Sequence, residues 1–231
     1  MKTLIRNWPD LFEIEKRPFR EVLDLQFRTQ MTALRGELKR DPVEGLSVLD
    51  YGSGRSPYSD LFQGAKNFIA VDPHDGGAEY SEIPSGCLFD RILLVEVLEH
   101  LSNPQKTLRE LSSKLTEGGK IWITVPFAAR VHRAPQDFYR WTEDGLKQLA
   151  QNSGLRVVAI EPRGNAIGTL ASKVAFLSFR CLLNPVTFLL GMILILFGLS
   201  WLLPLAWISQ NWRLPVEDPL GYFLVLSATE L

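Results

Sequence analysis

The run Val48-Leu49-Asp50-Tyr51-Gly52-Ser53-Gly54, with Val71-Asp72 a short interval later, limits the fold more than any other stretch of the chain. It reads as a buried strand ending in a glycine turn, then a second strand ending in a carboxylate. Glycines at 52 and 54 allow a sharp turn and let bare backbone N–H groups approach an anionic ligand. A carboxylate at the tip of the second strand can accept both hydroxyls of a ribose. Together these features predict an α/β sheet that holds a nucleoside-containing cofactor.

The residues around the turn bear on which cofactor it is. A nicotinamide fingerprint needs a third small residue, so that the following helix packs closely on the strand. Here Gly52-Ser53-Gly54-Arg55-Ser56-Pro57 has proline in that place, and Asp50 precedes the first glycine. A carboxylate there suits a cationic ammonium or sulfonium end better than a pyrophosphate. Two more segments follow in order, Phe89 to Leu101 (FDRILLVEVLEHL) and Gly118 to Pro126 (GGKIWITVP). In order and spacing the four segments resemble the class I S-adenosylmethionine (SAM) methyltransferases, specifically their small-molecule (type 11) branch, over roughly residues 45–165. The stretch from Pro126-Phe127 through His132 to Pro135–Thr142 further resembles a subgroup associated with cell-surface sugar and glycan-building pathways.

The resemblance implies a set of cofactor contacts. Gly52 and Gly54, with Tyr51 and Ser53 between and beside them, would take the methionine end, helped by Asp50. Asp72, followed by Pro73, would hold the ribose, and Val95 and Glu96 would lie beside the methionine portion. The stretch between Asp72 and Phe89 is short and loop-like, so the family's adenine contact has no clear match here.

Strand and helix signals alternate along the core. Strands are expected at 47–50, 67–71, 91–95, 120–125, 155–160 and 222–226, with a compressed or degenerate strand between 72 and 89. The expectation is a Rossmann-like, mostly parallel, seven-stranded sheet flanked by helices, with ligands at the strand carboxyl ends. Asn103-Pro104 reads as an N-cap and first-turn proline, and Thr142-Glu143 as another helix start. Apolar residues at helical spacing from about Arg17 to Lys39 predict a helical cap within residues 1–44. The core is expected over 45–165, an apolar insertion over 166–213, and a closing strand over 214–231.

From Cys181 to Trp212 there is no Asp, Glu, Lys, Arg or His. That is too apolar for a surface helix, and long enough for one membrane pass. If residues 222–226 join the sheet, however, both ends of the segment must emerge on one side. The reading is a helical hairpin from about Leu170 to Asn211, bent near Gly198 or Pro204 and dipping into one leaflet. Lys173, Arg180 and Arg213 at its ends, and Trp201, Trp207 and Trp212, suit a cytoplasmic headgroup layer. A buried dimerisation hairpin and a single pass with a detached tail are the competing readings.

Composition narrows the rest. With 231 residues and a net charge of −1, the chain lacks the basic field of a nucleic-acid binder, so no DNA or RNA partner is expected. Cys87 and Cys181 make neither a disulfide framework nor a zinc site, which suits reduced thiols in a cytosolic setting. The first ten residues lack an apolar run, so no secretory signal is expected.

Methyl transfer from a sulfonium is an in-line displacement that needs alignment, a dry pocket and, for a hydroxyl acceptor, a proton sink. It requires no metal, and none is expected. His132, in the loop after the strand at 120–125, and His100 are the candidate bases. His74 reads as a cofactor-edge or solvent residue. Arg133, Asp137, Tyr139 and Arg140 could hold a sugar ring or a phosphate, although an internal Asp137–Arg140 ion pair would serve equally to brace the loop. Phe138 and Trp141 read as core. The expected activity is methylation of a small-molecule, sugar or lipid-linked acceptor, by O-methylation, at the cytoplasmic membrane face, with lipid contacts through 181–212. A membrane-tethered SAM-binding scaffold without turnover and a nicotinamide-dependent enzyme are the alternatives.

Overall fold

The computed structural model describes residues 24–72, 83–132, 136–209 and 218–229. Its elements in chain order are α1 (Leu25–Arg40), β1 (Ser47–Tyr51), β2 (Asn67–Val71), β3 (Phe89–Val95), α2 (Pro104–Ser112), β4 (Leu115–Pro126), α3 (Glu143–Asn152), β5 (Leu155–Arg163), α4 (Ala166–Leu182), α5 (Phe188–Phe197), a π-helical turn (Gly198–Leu202), α6 (Leu203–Ser209) and β6 (Gly221–Ala228). The chain divides into two compact units. One combines residues up to 29 with 162–221, and the other combines 30–161 with 222–231.

The second unit carries the sheet, ordered β2-β1-β3-β4-β6-β5. β1 pairs in parallel with β2 from Ser47↔Asn67 to Tyr51↔Val71, and with β3 from Val48↔Arg91 to Asp50↔Leu93. β3 pairs in parallel with β4 as far as Val95↔Thr124. The described residues hold six strands, not the seven expected. The segment between β2 and β3 where a further strand was sought includes 73–82, which lie outside the described residues. β6 takes the place expected for the closing strand.

The central strands are apolar on both faces because both faces are covered. Val48, Leu49, Ile92, Leu93, Leu94, Ile121, Trp122, Ile123 and Val125 are fully buried. Since β1 to β4 run in parallel, Tyr51, Val71, Val95 and Pro126 all end at one edge, where such sheets bind ligands. At the opposite end, buried Arg91 and half-buried Lys120 (Nζ···Oδ2 2.9 Å) both bond Asp41, just past α1. Burial alone would raise the pKa of Asp41, but these two cations outweigh it and bring it below the usual carboxylate value.

α2 and α3 start as expected. Asn103 Oδ1 accepts from Lys106 N at 3.1 Å ahead of Pro104, and Thr142 Oγ1 accepts from Gly145 N at 3.2 Å. α1 covers Leu25–Arg40, inside the helical stretch expected from about Arg17 to Lys39, and residues 1–23 lie outside the described part. Its final turns belong with the sheet unit.

The first unit is a helical hairpin. α4 runs out, the chain turns over 183–187, and α5, the π turn and α6 run back as one continuous helix. The turn is therefore at Asn184-Pro185, not at Gly198 or Pro204. Asn184 Oδ1 accepts from Val186 N at 3.0 Å, and Thr187 Oγ1 donates to the Cys181 carbonyl at 3.0 Å. Pro204 has no N–H to give, and the wider π turn just before it absorbs the mismatch without breaking the helix. Close to the tip the helices meet at Gly191, where a Cβ would stand 2.7 Å from Leu182 N and 2.9 Å from the Ser178 carbonyl.

At the base, Asn165 works in both directions. Its Oδ1 caps α4 by accepting from Gly168 N at 3.0 Å, and its Nδ2 donates to the Ser209 carbonyl at 3.0 Å. Replacing Asn165 with alanine should cost about 1–3 kcal/mol, because a cap is lost and a buried carbonyl loses its donor. Asn165→Asp retains the cap acceptor but turns a carboxylate oxygen on the Ser209 carbonyl, so it should be at least as destabilised. A thermal melt in mild detergent with Asn165→Asp at wild-type stability would disprove this clasp.

Candidate functional site

β1 carries Asp50 to the ligand edge as a fully buried carboxylate. Ser56 Oγ donates to its Oδ2 at 2.6 Å, and the Tyr58 hydroxyl to its Oδ1 at 2.9 Å. The sequence reading missed both partners, although each lies within the turn after β1. Burial pushes the Asp50 pKa up to about 6, the two hydroxyls hold it down, and Asp72 raises it further.

The glycine turn follows at once. Gly52 (φ 76°) and Gly54 (φ 51°) adopt the left-handed region that favours glycine. A Cβ on Gly52 would stand 2.6 Å from Val97 Cγ2, so only glycine lets this turn rest against the turn after β3. The N–H groups of Gly52 and Ser53 donate to the Val71 carbonyl at 2.8 and 3.1 Å, and Gly54 N donates to Asp72 Oδ2 at 3.0 Å. The expectation of bare amides facing an anion is thus not met. The turn's amides tie β1 to the end of β2 and hold the Asp72 side chain beside Gly54.

Val95 ends β3, and Glu96 follows with φ 56°, an unusual backbone for a side-chain-bearing residue. The Thr124 carbonyl and hydroxyl fix it by accepting from Glu96 N at 3.0 and 3.1 Å. Such strain is kept where the surroundings over-determine the backbone. Tyr51, Gly52, Ser53, Gly54, Asp72, Val95 and Glu96 therefore share one edge, with Asp50 just beneath. Pro73, His74 and Arg133 lie outside the described residues.

The turn after β3 and the loop after β4 bring the two candidate bases together. His100 Nε2 and His132 Nε2 are 3.1 Å apart, with the rings edge to face. Glu99 lies beside both, 0% exposed, its Oε1 3.6 Å from His100 Nε2 and 4.0 Å from His132 Nε2. Neither Glu99 oxygen is hydrogen-bonded to another of the described residues. Burial pushes the Glu99 carboxyl well above its usual pKa, and neighbouring Glu96 adds to that, against its own backbone N–H and Arg140. Burial likewise lowers His100. Glu99 was not singled out from sequence; its place beside His100 in a single turn was the available signal.

The 136–140 segment supports this cluster. Asp137 accepts both Arg140 Nη atoms (Nη2···Oδ2 2.7 Å) and the His132 backbone N–H at 2.9 Å. Despite burial, Arg140 brings the Asp137 pKa down to about 2. Arg140 also donates to the Arg130 and Tyr139 carbonyls at 2.9 and 2.7 Å. The bracing alternative for Asp137 and Arg140 is thus the one the hydrogen bonds display. Tyr139 stacks on Trp141 and donates to the Ser102 carbonyl at 3.3 Å. Phe138, read as core, is instead 49% exposed.

Against this geometry, a methyltransferase-domain family model matches residues 19–160. Among solved structures of the same fold, a SAM-dependent methyltransferase from Clostridium acetobutylicum ATCC 824 covers 96% of this chain and 99% of its own at TM-score 0.55 and 8% identity. Coclaurine N-methyltransferase, bound to N-methylheliamine and S-adenosylhomocysteine, covers 86% and 72% at TM-score 0.54 and 15% identity. The [4+2]-cyclase SpnF covers 89% and 82% at TM-score 0.54 and 15% identity. A tRNA U34 carboxymethyltransferase of Campylobacter fetus subsp. fetus (strain 82-40) is 50% identical over 42 residues, which are 18% of this chain and 15% of that protein. The chain belongs to the methyltransferase-domain family, which sets aside the nicotinamide reading.

The environment of Asp50 makes a stability prediction. A carboxyl whose folded pKa is raised contributes stability below its unfolded pKa and loses it as pH rises through the folded value. From about pH 4 to above pH 6, Asp50→Asn should therefore gain on wild type by roughly 3 kcal/mol, from about 2 pKa units at 1.36 kcal/mol each. Urea denaturation across that range checks it, and parallel curves would refute it.

Proposed function

We propose that the protein methylates a hydroxyl on a small-molecule, sugar or lipid-linked acceptor, at the cytoplasmic face of a membrane into which its hairpin inserts. The observation that carries the membrane part is the surface of that hairpin. Phe188–Ser209 is 22 residues long with mean hydropathy 2.4, and 11% of its most apolar stretch is buried. Val186 is 92% exposed, Leu189 72% and Trp201 69%. At 1.5 Å per residue the helix reaches about 33 Å, close to the thickness of a hydrocarbon core. A soluble core helix would have these side chains covered. Returning them to an apolar medium is worth on the order of 10 kcal/mol or more, at 1.5–3 kcal/mol per large side chain.

Connectivity supports a hairpin over a single pass. β5 leads into the hairpin and β6 follows it, and those two strands are neighbours in one sheet. Both ends of the insertion must therefore lie on the sheet's side of any membrane. Lys173 and Arg180 lie on the exposed side of α4 itself, while the returning helix has no charge. The α4 side would thus face headgroups, and the returning helix would sit deeper.

In this reading SAM binds at the carboxyl edge. Asp50 and the turn 51–54 receive the methionine end, Asp72 takes the ribose hydroxyls, and Val95 and Glu96 flank the methionine portion. His132 and His100, with Asp137, Tyr139 and Arg140 shaping their loop, form the polar cluster that takes the acceptor's proton. SAH bound in coclaurine N-methyltransferase supports the donor; the small molecule beside it supports a small acceptor. The tRNA-acting relative does not move the acceptor towards RNA, since the match covers 15% of it and the net charge here is −1.

Two measurements test the reading. Asp72→Ala should weaken S-adenosylhomocysteine binding at least about tenfold by calorimetry, the loss of roughly 1.4 kcal/mol or more from charge-assisted ribose bonds; unchanged affinity would remove Asp72 from the site. In detergent-free fractionation the wild type should pellet with membranes, and Leu189→Glu with Ile193→Glu should release it. A wild type that is soluble and monomeric would end the membrane proposal, and a soluble dimer would assign the hairpin to self-association.

A further inference from the structure

We propose that Glu99, His100 and His132 bind one divalent transition-metal ion of the zinc class, through Glu99 Oε1 and the two imidazole Nε2 atoms. The argument starts from proton placement. His100 Nδ1 bonds the Gln136 carbonyl, which can only accept, so Nδ1 bears the hydrogen and Nε2 a lone pair. His132 Nδ1 faces the Arg130 carbonyl at 3.3 Å and Asp137 Oδ2 at 3.4 Å, two more acceptors, so its Nε2 also bears a lone pair. The two lone pairs then face each other across 3.1 Å, beside a buried carboxyl group that has no hydrogen-bond partner among the described residues. Three electron-rich atoms converge, and a cation among them would satisfy all three.

The distances fit that occupant. A triangle with sides 3.1, 3.6 and 4.0 Å has a circumcentre about 2.1 Å from each corner. Zinc lies about 2.0–2.1 Å from histidine nitrogen and 2.0–2.2 Å from carboxylate oxygen. Seen from that point the two histidine nitrogens subtend about 96° and the Glu99 oxygen stands about 119° and 146° from them, a distorted three-coordinate set in which a single angle is near-right. A fourth ligand, a water or an acceptor oxygen, would complete the set from outside the ligand plane, as in zinc sites that keep an open position. Both imidazoles already donate their outer N–H to a carbonyl or carboxylate, the support that metal-bound histidines use.

The ligands come from two segments, 99–100 and 132, so no metal spacing is visible along the chain. The site deepens the methyl-transfer reading without depending on it. A coordinated hydroxyl loses its proton more readily, so the bound cation would take over from a free imidazole base.

The test uses tag-free, full-length protein in mild detergent, with no SAM present, so its outcome does not depend on methyl transfer. After exposure to Zn²⁺ and gel filtration, elemental analysis should find about one equivalent of zinc per chain. Loading with Co²⁺ should give the intense visible bands of a four-coordinate site. Glu99→Gln and His132→Gln should each weaken binding at least about tenfold, with folding checked by circular dichroism. Wild type that retains no zinc and shows no cobalt bands overturns the proposal, whether or not the variants fold. So does zinc retained equally by both variants, which would place it elsewhere, and so does a proton shared between the imidazoles in place of metal.

Discussion

The approach of Gly52 to Val97 governs the ligand edge. Two parallel strands, β1 and β3, end side by side, and the turns that follow them compete for the same space. Because residue 52 has no Cβ, the first turn can lie against Val97, and the amides of Gly52 and Ser53 can reach the Val71 carbonyl. The same folding-over brings Gly54 N to Asp72. One missing methyl group thus sets the spacing of three strand ends, and the carboxylates at 50 and 72 inherit their positions from it.

That arrangement has an electrostatic cost. Asp50 is buried and feels Asp72, and its two hydroxyl donors only partly offset this. Glu99 is buried near Glu96 and Asp137, with Arg140 opposing them. A protein optimised for stability alone would replace such carboxylates with apolar residues of similar size. Buried carboxylates and a strained Glu96 concentrated on one rim are the pattern expected where the fold holds charge ready for a ligand.

Much of this was legible in the sequence because the features are local. Strand ends, the positive-φ glycines, and the caps at Asn103 and Thr142 are each set by residues within a few positions. The Rossmann-like order followed from alternation of these pieces. What escaped was non-local or a matter of competition. Ser56 and Tyr58 reach Asp50 only once the turn has closed. Glu99 joins His132 through a contact across 33 positions that no spacing rule anticipates. Arg140 was left open between a phosphate ligand and a brace for Asp137, and the ion pair formed three residues away is the brace. The hairpin bend was sought at glycine and proline within the apolar run, but the returning helix passes Pro204 through a π turn, whereas Asn184-Pro185 supplies a complete turn.

The insertion of the hairpin follows from the sheet's own connectivity. β5 and β6 are adjacent, so a segment joining them needs only to return to where it started, whatever its length. Loop-closure entropy grows only with the logarithm of length. The Asn165–Ser209 bonds lower it further by pinning the two ends of the segment together. A long apolar excursion can therefore be added at this junction without disturbing the strands that hold Asp50 and Glu96. The packed Gly191 contact then keeps the two helices as one unit whose outer surface alone meets the surroundings. The carboxyl edge and the hairpin are in this sense independent inventions on one chain: the first depends on a missing Cβ, the second on two neighbouring strands.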